Sequence, residues 1–233
     1  MNKRFVTLLG TSLLVVAAAA NADGGVSANV GLTTDYVFRG VSQTNEAPAI
    51  QGGFDYNDPS GLYVGTWESN IAFAGSLESD WYFGYNGKVN DDLGYSVGYI
   101  YYYYPKQSTF VPSSNVSFGE VNAGVSFKGF SAGISYSNNF SFDTGKATYY
   151  NVAYDLGLPN DFGLNFHYGY QAIDDNAAWG TPDYSDYSIG LSKSYGGFDF
   201  GLTWYDTNLS KSECFGGTDL CKSRVTFNVG KSL

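Results

Sequence analysis

Beyond residue 22 the chain holds no apolar run long enough to cross a bilayer as a helix, which takes about 20 residues, yet apolar side chains recur at every second position along most of its length. Period two is the signature of a strand with one apolar and one polar face. Over residues 26–39, Val26, Ala28, Val30, Leu32, Tyr36 and Phe38 alternate with Ser27, Asn29, Gly31, Thr33, Asp35 and Arg39, and Val37 is the one exception. Residues 93–101 and 162–170 repeat the pattern, as do the sets around Trp81, Val121, Tyr150, Phe198 and Val225. Weaker alternation over 50–56, 62–69, 130–136 and 187–193 brings the count to about 12 strands. Single-chain outer-membrane barrels have even strand numbers.

Soluble sandwiches alternate too, so the connections decide. Every second junction is a brief turn, such as Asn57-Asp58-Pro59-Ser60-Gly61, Lys128-Gly129 or Tyr195-Gly196-Gly197, and the junctions between them are mostly longer. That asymmetry predicts an all-β, closed antiparallel up-and-down transmembrane β-barrel with short periplasmic turns and longer extracellular loops. Both termini are then periplasmic. Tyr36, Phe38, Trp67, residues 101–104, Tyr168, Tyr170, Trp204 and Tyr205 are expected in the aromatic girdles. The competing fold, a lipocalin-like barrel with its apolar face inward, leaves the loop asymmetry unexplained.

The first residues set the compartment. Lys3 and Arg4 precede an apolar stretch over 5–20, and Ala20-Asn21-Ala22 has the small residues of a signal-peptidase site. Residues 1–22 are therefore read as a cleaved signal peptide, with cleavage between Ala22 and Asp23, and 23–233 as the outer-membrane barrel. Two of the 12 basic residues belong to the leader, so the mature chain sets 10 against 22 acidic residues. Such a chain repels a phosphate backbone, which argues against nucleic acid as a partner. The expected partners are outer-membrane lipid, the barrel-assembly machinery during biogenesis, and small polar solutes.

Cys214 and Cys221 lie close together in a polar stretch of an exported chain, which predicts a local disulfide. A two-cysteine metal site needs more ligands, and the sole histidine, His167, is distant in sequence. Neither a metal nor a cofactor is expected. The acidic pairs Asp91-Asp92 and Asp174-Asp175 read as ordinary turn and loop residues.

Three segments carry a resemblance. Thr33-Thr34-Asp35-Tyr36-Val37-Phe38-Arg39-Gly40-Val41-Ser42-Gln43-Thr44, then Gly65-Thr66-Trp67-Glu68-Ser69-Asn70, then the paired cysteines before Ser223-Arg224-Val225-Thr226-Phe227, resemble the TorF-family porins of Gram-negative bacteria. The resemblance implies a pore and names no substrate. The chain ends on Leu233 where such proteins usually finish on Phe, but Leu233 keeps the apolar parity of Val225, Phe227 and Val229.

With the apolar face in lipid, the polar face is the lumen, since a charge on the lipid face costs about 2–4 kcal/mol near the midplane. The mature chain has two arginines, Arg39 at the end of the first strand and Arg224 at the start of the last, which become neighbours on closure. Asp35, Glu78, Asp80 and Glu120 are expected to face them, and Glu68 is placed with them although its strand alternates less cleanly. These seven residues are the expected constriction of a channel for passive diffusion of small hydrophilic, cationic or neutral solutes. The alternative is a plugged barrel acting through its extracellular loops. An enzyme is not expected: His167 has lumen parity, and no G-x-S-x-G elbow accompanies it.

Overall fold

The computed structural model describes residues 24–233 except Val111. The expected leader and its cleavage point between Ala22 and Asp23 lie outside the described residues. The strands are β1 (Gly25–Thr33), β2 (Val37–Phe38), β3 (Val41–Ser42), β4 (Ala49–Asn57), β5 (Leu62–Asn70), β6 (Leu77–Lys88) and β7 (Leu93–Tyr103). There follow β8 (Phe118–Phe127), β9 (Phe130–Ser137), β10 (Ala147–Gly157), β11 (Phe162–Ile173), β12 (Tyr184–Tyr195), β13 (Phe198–Thr207) and β14 (Arg224–Ser232).

Twelve of these form one closed antiparallel barrel, in which β1 pairs with both β4 and β14; β2 and β3 form a separate hairpin. The seam runs from Asn29↔Ser232 to Thr33↔Asn228. The Leu233 N–H extends it by donating to the Ala28 carbonyl at 2.8 Å, and the Leu233 side chain stays on the outward, exposed face.

The alternation in the sequence maps onto the barrel wall. Phe54, Trp81 and Leu202 are 64%, 57% and 49% exposed, and their strand neighbours of opposite parity point into the lumen. An apolar band that encircles a barrel has hydrocarbon, not water, as its natural solvent. No helix among the described residues is long and apolar enough to cross a membrane. Short turns close one end, and at Lys128-Gly129 both residues have positive φ, 48° and 88°, as a two-residue hairpin turn on right-twisted strands requires.

The first strand is shorter than its alternation suggests. It ends at Thr33, and the continuing pattern at Tyr36 and Phe38 belongs to the β2–β3 hairpin. The turn of that hairpin is Arg39-Gly40, with φ of 47° and 78°, again a two-residue hairpin turn. Arg39 is therefore at a hairpin tip and not at a barrel strand's end. Val37, the exception in the alternation, is buried within this hairpin.

Several expected girdle residues also point inward. Tyr102, Tyr104 and Tyr205 are buried, and Tyr36, Phe38 and Trp67 pack against an interior apolar cluster containing Ile71, Ile100, Val116 and Phe140. Their neighbours Tyr101, Tyr103, Tyr168, Tyr170 and Trp204 remain on the outer face. In a run of consecutive tyrosines only alternate side chains can reach lipid.

Cys214 and Cys221 are bonded, with Cα atoms 5.9 Å apart, and both pack with Val41 of β3 and Tyr184 of β12. A loop this short contributes about 2.5 kcal/mol by chain entropy. Reduction is expected to speed proteolysis within residues 208–223 while leaving the far-ultraviolet circular dichroism of the barrel unchanged; loss of the strand signal would assign the bond a role in the whole fold.

Candidate functional site

The candidate site is the mouth of the barrel at its long-loop end, where residues 34–48 fold inward. The base of the hairpin is fixed by Asp35. Its Oδ1 accepts from Ser42 Oγ at 2.7 Å and Thr44 Oγ1 at 2.8 Å, and its Oδ2 receives Arg224 Nη1 at 2.6 Å. One carboxylate thus closes the hairpin on itself and ties it to β14.

The tip reaches the far wall. Arg39 Nη2 pairs with Glu120 Oε2 on β8 at 2.7 Å, and Nη1 donates to Gln171 Oε1 on β11 at 2.7 Å. The guanidinium carbon also lies 4.2 Å from the centre of the Tyr149 ring on β10 and 4.7 Å from that of Phe38. Arginine suits such a seat because its planar fork can pair, donate and stack at once. Gly40 makes the approach possible: a Cβ there sits 2.5 Å from Thr207 Cγ2 and 2.8 Å from Asp186 Cβ. Gly40→Ala is expected to weaken the seat by about 1–2 kcal/mol from its left-handed backbone alone, with the clash adding to that. Faster proteolysis within residues 34–48 is the readout, and an unchanged rate refutes the tight fit.

The flanks are held as well. Tyr36 Oη donates to Glu78 Oε1 at 2.7 Å, and Tyr104 Oη donates to Glu78 Oε2 at 2.8 Å. The Ser42 N–H donates to the Leu220 carbonyl at 2.9 Å, and the Gln43 carbonyl accepts from the Ala72 N–H at 2.8 Å. The hairpin touches the wall on β6, β8, β10, β11 and β14, and so spans the lumen. Arg39, Glu78, Asp80 and Glu120 are each only 2% exposed.

Above the hairpin the loops interlock through their rings. Phe38, Tyr102, Phe118, Phe140, Trp179 and Phe215 form a continuous series with successive centroids 4.5 to 5.7 Å apart. Asp143 joins two of the loops, accepting from the Asn115 N–H at 2.7 Å and from Asn139 Nδ2 at 2.9 Å. Those two donors hold its carboxyl below the usual aspartate range. Mouth and hairpin form one packed unit.

Of the seven expected lumen residues, the hairpin brings Asp35 to Arg224, Arg39 to Glu120, and Tyr36 onto Glu78. Asp80 faces inward between Trp67 and Tyr102 in the strand register. Glu68 is a correction. It shares its parity with the exposed Leu62 and Val64 and meets Ser79 Oγ on the outer face at 3.4 Å, whereas Trp67 points in and packs edge-on to Tyr36. A one-residue shift of register reverses every side chain of a strand.

Sequence reasoning missed Gln171, Tyr149, Tyr102 and Asp186. Tyr149 Oη donates to Asp186 Oδ2 at 2.9 Å and lies 2.9 Å from His167 Nε2, which is itself 3.0 Å from Asp186 Oδ1. Inward parity on β10 and β11 was the available signal for Tyr149 and Gln171, but both fall just outside the expected strand ends. No group of three or more His, Cys, Asp or Glu that could hold a metal ion occurs among the described residues.

These features define a twelve-stranded outer-membrane-type barrel with an infolded loop across its mouth. The chain belongs to the family described as bacterial protein of unknown function (Gcw_chp), whose model matches residues 17–233. Among solved structures it resembles a KdgM porin, with a TM-score of 0.56 at 11% identity over 89% of this chain and 99% of that one. A NanC porin gives 0.55 at 11% identity over 88% and 98%. At these identities the likeness is one of fold. No curated protein matches the sequence.

Proposed function

We propose that this protein is an outer-membrane channel of porin type, passing small hydrophilic cationic or neutral solutes, with its mouth held shut by residues 34–48. The observation that carries this reading is the inward hairpin. It crosses the lumen of a barrel whose inner wall is largely Gly, Ser, Asn and Thr, and polar contacts hold it there. A block made of hydrogen bonds and ion pairs is reversible. The resemblance of the 33–44 segment to TorF-family porins and the porin-like fold support the same conclusion.

In this reading the barrel sits in the outer membrane after cleavage of the leader, with the assembly machinery and lipid as partners and both termini in the periplasm. Acidic residues in the lumen favour cations over anions. His167 acts as a wall residue, held by Asp186 and Tyr149, and we assign it no catalytic role.

The interlocked aromatic loops favour one second reading: a permanently sealed barrel that works through its outer loops. Single-channel recording of the refolded mature protein in a planar bilayer, under a salt gradient, separates the two. Discrete openings with a cation-selective reversal potential support the channel. Stable insertion without openings, including in variants that unseat the hairpin, supports the sealed barrel.

A further inference from the structure

Glu78 and Asp80 take successive inward positions on β6, about 6–7 Å apart along the strand, and both are almost wholly buried. Glu78 is satisfied by two phenol hydroxyls. Asp80 Oδ1 has no hydrogen-bond partner among the described residues. The ion pairs of those residues set Arg39 on Glu120 and Arg224 on Asp35, and none falls on Glu78 or Asp80. Leaving that oxygen buried and unpartnered is costly, and a positive group from outside the chain would offset the cost.

The walls indicate what kind. In the strand register Asp80 lies between Trp67 on β5 and Tyr102 on β7. The hairpin adds two more rings, with Tyr36 edge-on to Trp67 at 5.3 Å and Phe38 edge-on to Tyr102 at 5.7 Å. Carboxylates set among aromatic rings recognise organic cations through charge and ring quadrupole together. A hard metal ion instead needs a shell of oxygens, and the Trp67 and Phe38 walls offer none. The chain already uses such a seat once: Arg39 lies against the Tyr149 and Phe38 rings while paired with Glu120.

We propose that Glu78 and Asp80, walled by Trp67, Tyr102, Tyr36 and Phe38, bind a small organic cation of the ammonium or guanidinium class beneath the hairpin. This deepens the channel reading and rests on it for the route by which the cation arrives. The site is specific for charge and apolar surface combined, so a quaternary ammonium binds and sodium at the same ionic strength does not.

The test is calorimetric titration of the folded protein in detergent micelles with tetramethylammonium chloride, against sodium chloride at matched ionic strength. Saturable single-site binding is expected, at least tenfold weaker in Asp80→Asn and several-fold weaker in Trp67→Leu. Asp155→Asn, which alters a lumen-facing carboxylate near the short-turn end, should bind as the wild type does. Asn at position 80 is neutral and nearly isosteric, and circular dichroism checks that each variant keeps its barrel. No saturable binding by the wild type overturns the proposal, as does undiminished binding by Asp80→Asn. Bilayer recording on the same preparations keeps the two readings apart. Conductance without binding removes the site and leaves the channel, whereas binding without conductance, in Arg39→Ala as well as in these preparations, upholds the site and removes the channel.

Discussion

Arg39→Ala is expected to convert a mostly silent barrel into a conducting one. In the closed arrangement the guanidinium compensates Glu120, and both side chains are almost completely buried. Removing one partner of a buried pair costs about 3–5 kcal/mol, because the other charge is left uncompensated. That penalty falls on the seated hairpin alone, since Glu120 regains water once the hairpin leaves. At tenfold per 1.4 kcal/mol, the ratio of open to closed mouths should rise by about two to three and a half orders of magnitude in planar-bilayer recordings. Arg39→Lys should fall between the two, keeping the charge but losing the fork that also reaches Gln171 and the stacking on Tyr149. Open probability in Arg39→Ala equal to that of the wild type removes the hairpin latch from the account.

The second large effect concerns the outer wall. Leu202 lies in the middle of β13 on the exposed apolar face, where an arginine costs about 2–4 kcal/mol near the bilayer midplane. Leu202→Arg should therefore lower the stability of the vesicle-embedded barrel by that amount in denaturant titrations. Ser96→Arg, on the inward face of β7 opposite Asn86 and Gly124, should cost less than about 1 kcal/mol because its charge stays in the polar lumen. Equal losses for the two would mean that the apolar face does not meet lipid.

Much of the barrel could be read in advance because a strand wall between lipid and a polar lumen forces period two on the sequence. Leu93, Tyr95, Val97 and Tyr99 in β7, or Phe162, Leu164 and Phe166 in β11, admit one orientation only. The same rule misled at residues 34–42. A short hairpin alternates as a barrel strand does, so Tyr36 and Phe38 extended the pattern of β1 past its end at Thr33. The break was marked by Val37, out of phase, and by Arg39-Gly40, a polar residue and a glycine between apolar flanks. Glu68 was misplaced for a related reason: in Gly65-Thr66-Trp67-Glu68-Ser69 the apolar residue points inward, so hydropathy gave the wrong parity.

The sequence by itself determined the strand number, the alternation of short turns and long loops, the outward face and the cysteine pair, because each is set by local residue order. Only the tertiary structure decided where the long loops go. Arg39 meets Glu120 across 81 residues of chain and Gln171 across 132, and Asp35 meets Arg224 across 189. Partners that far apart leave no periodicity to read. They are brought together by the closure of the barrel and by the cost of leaving a buried arginine without a carboxylate.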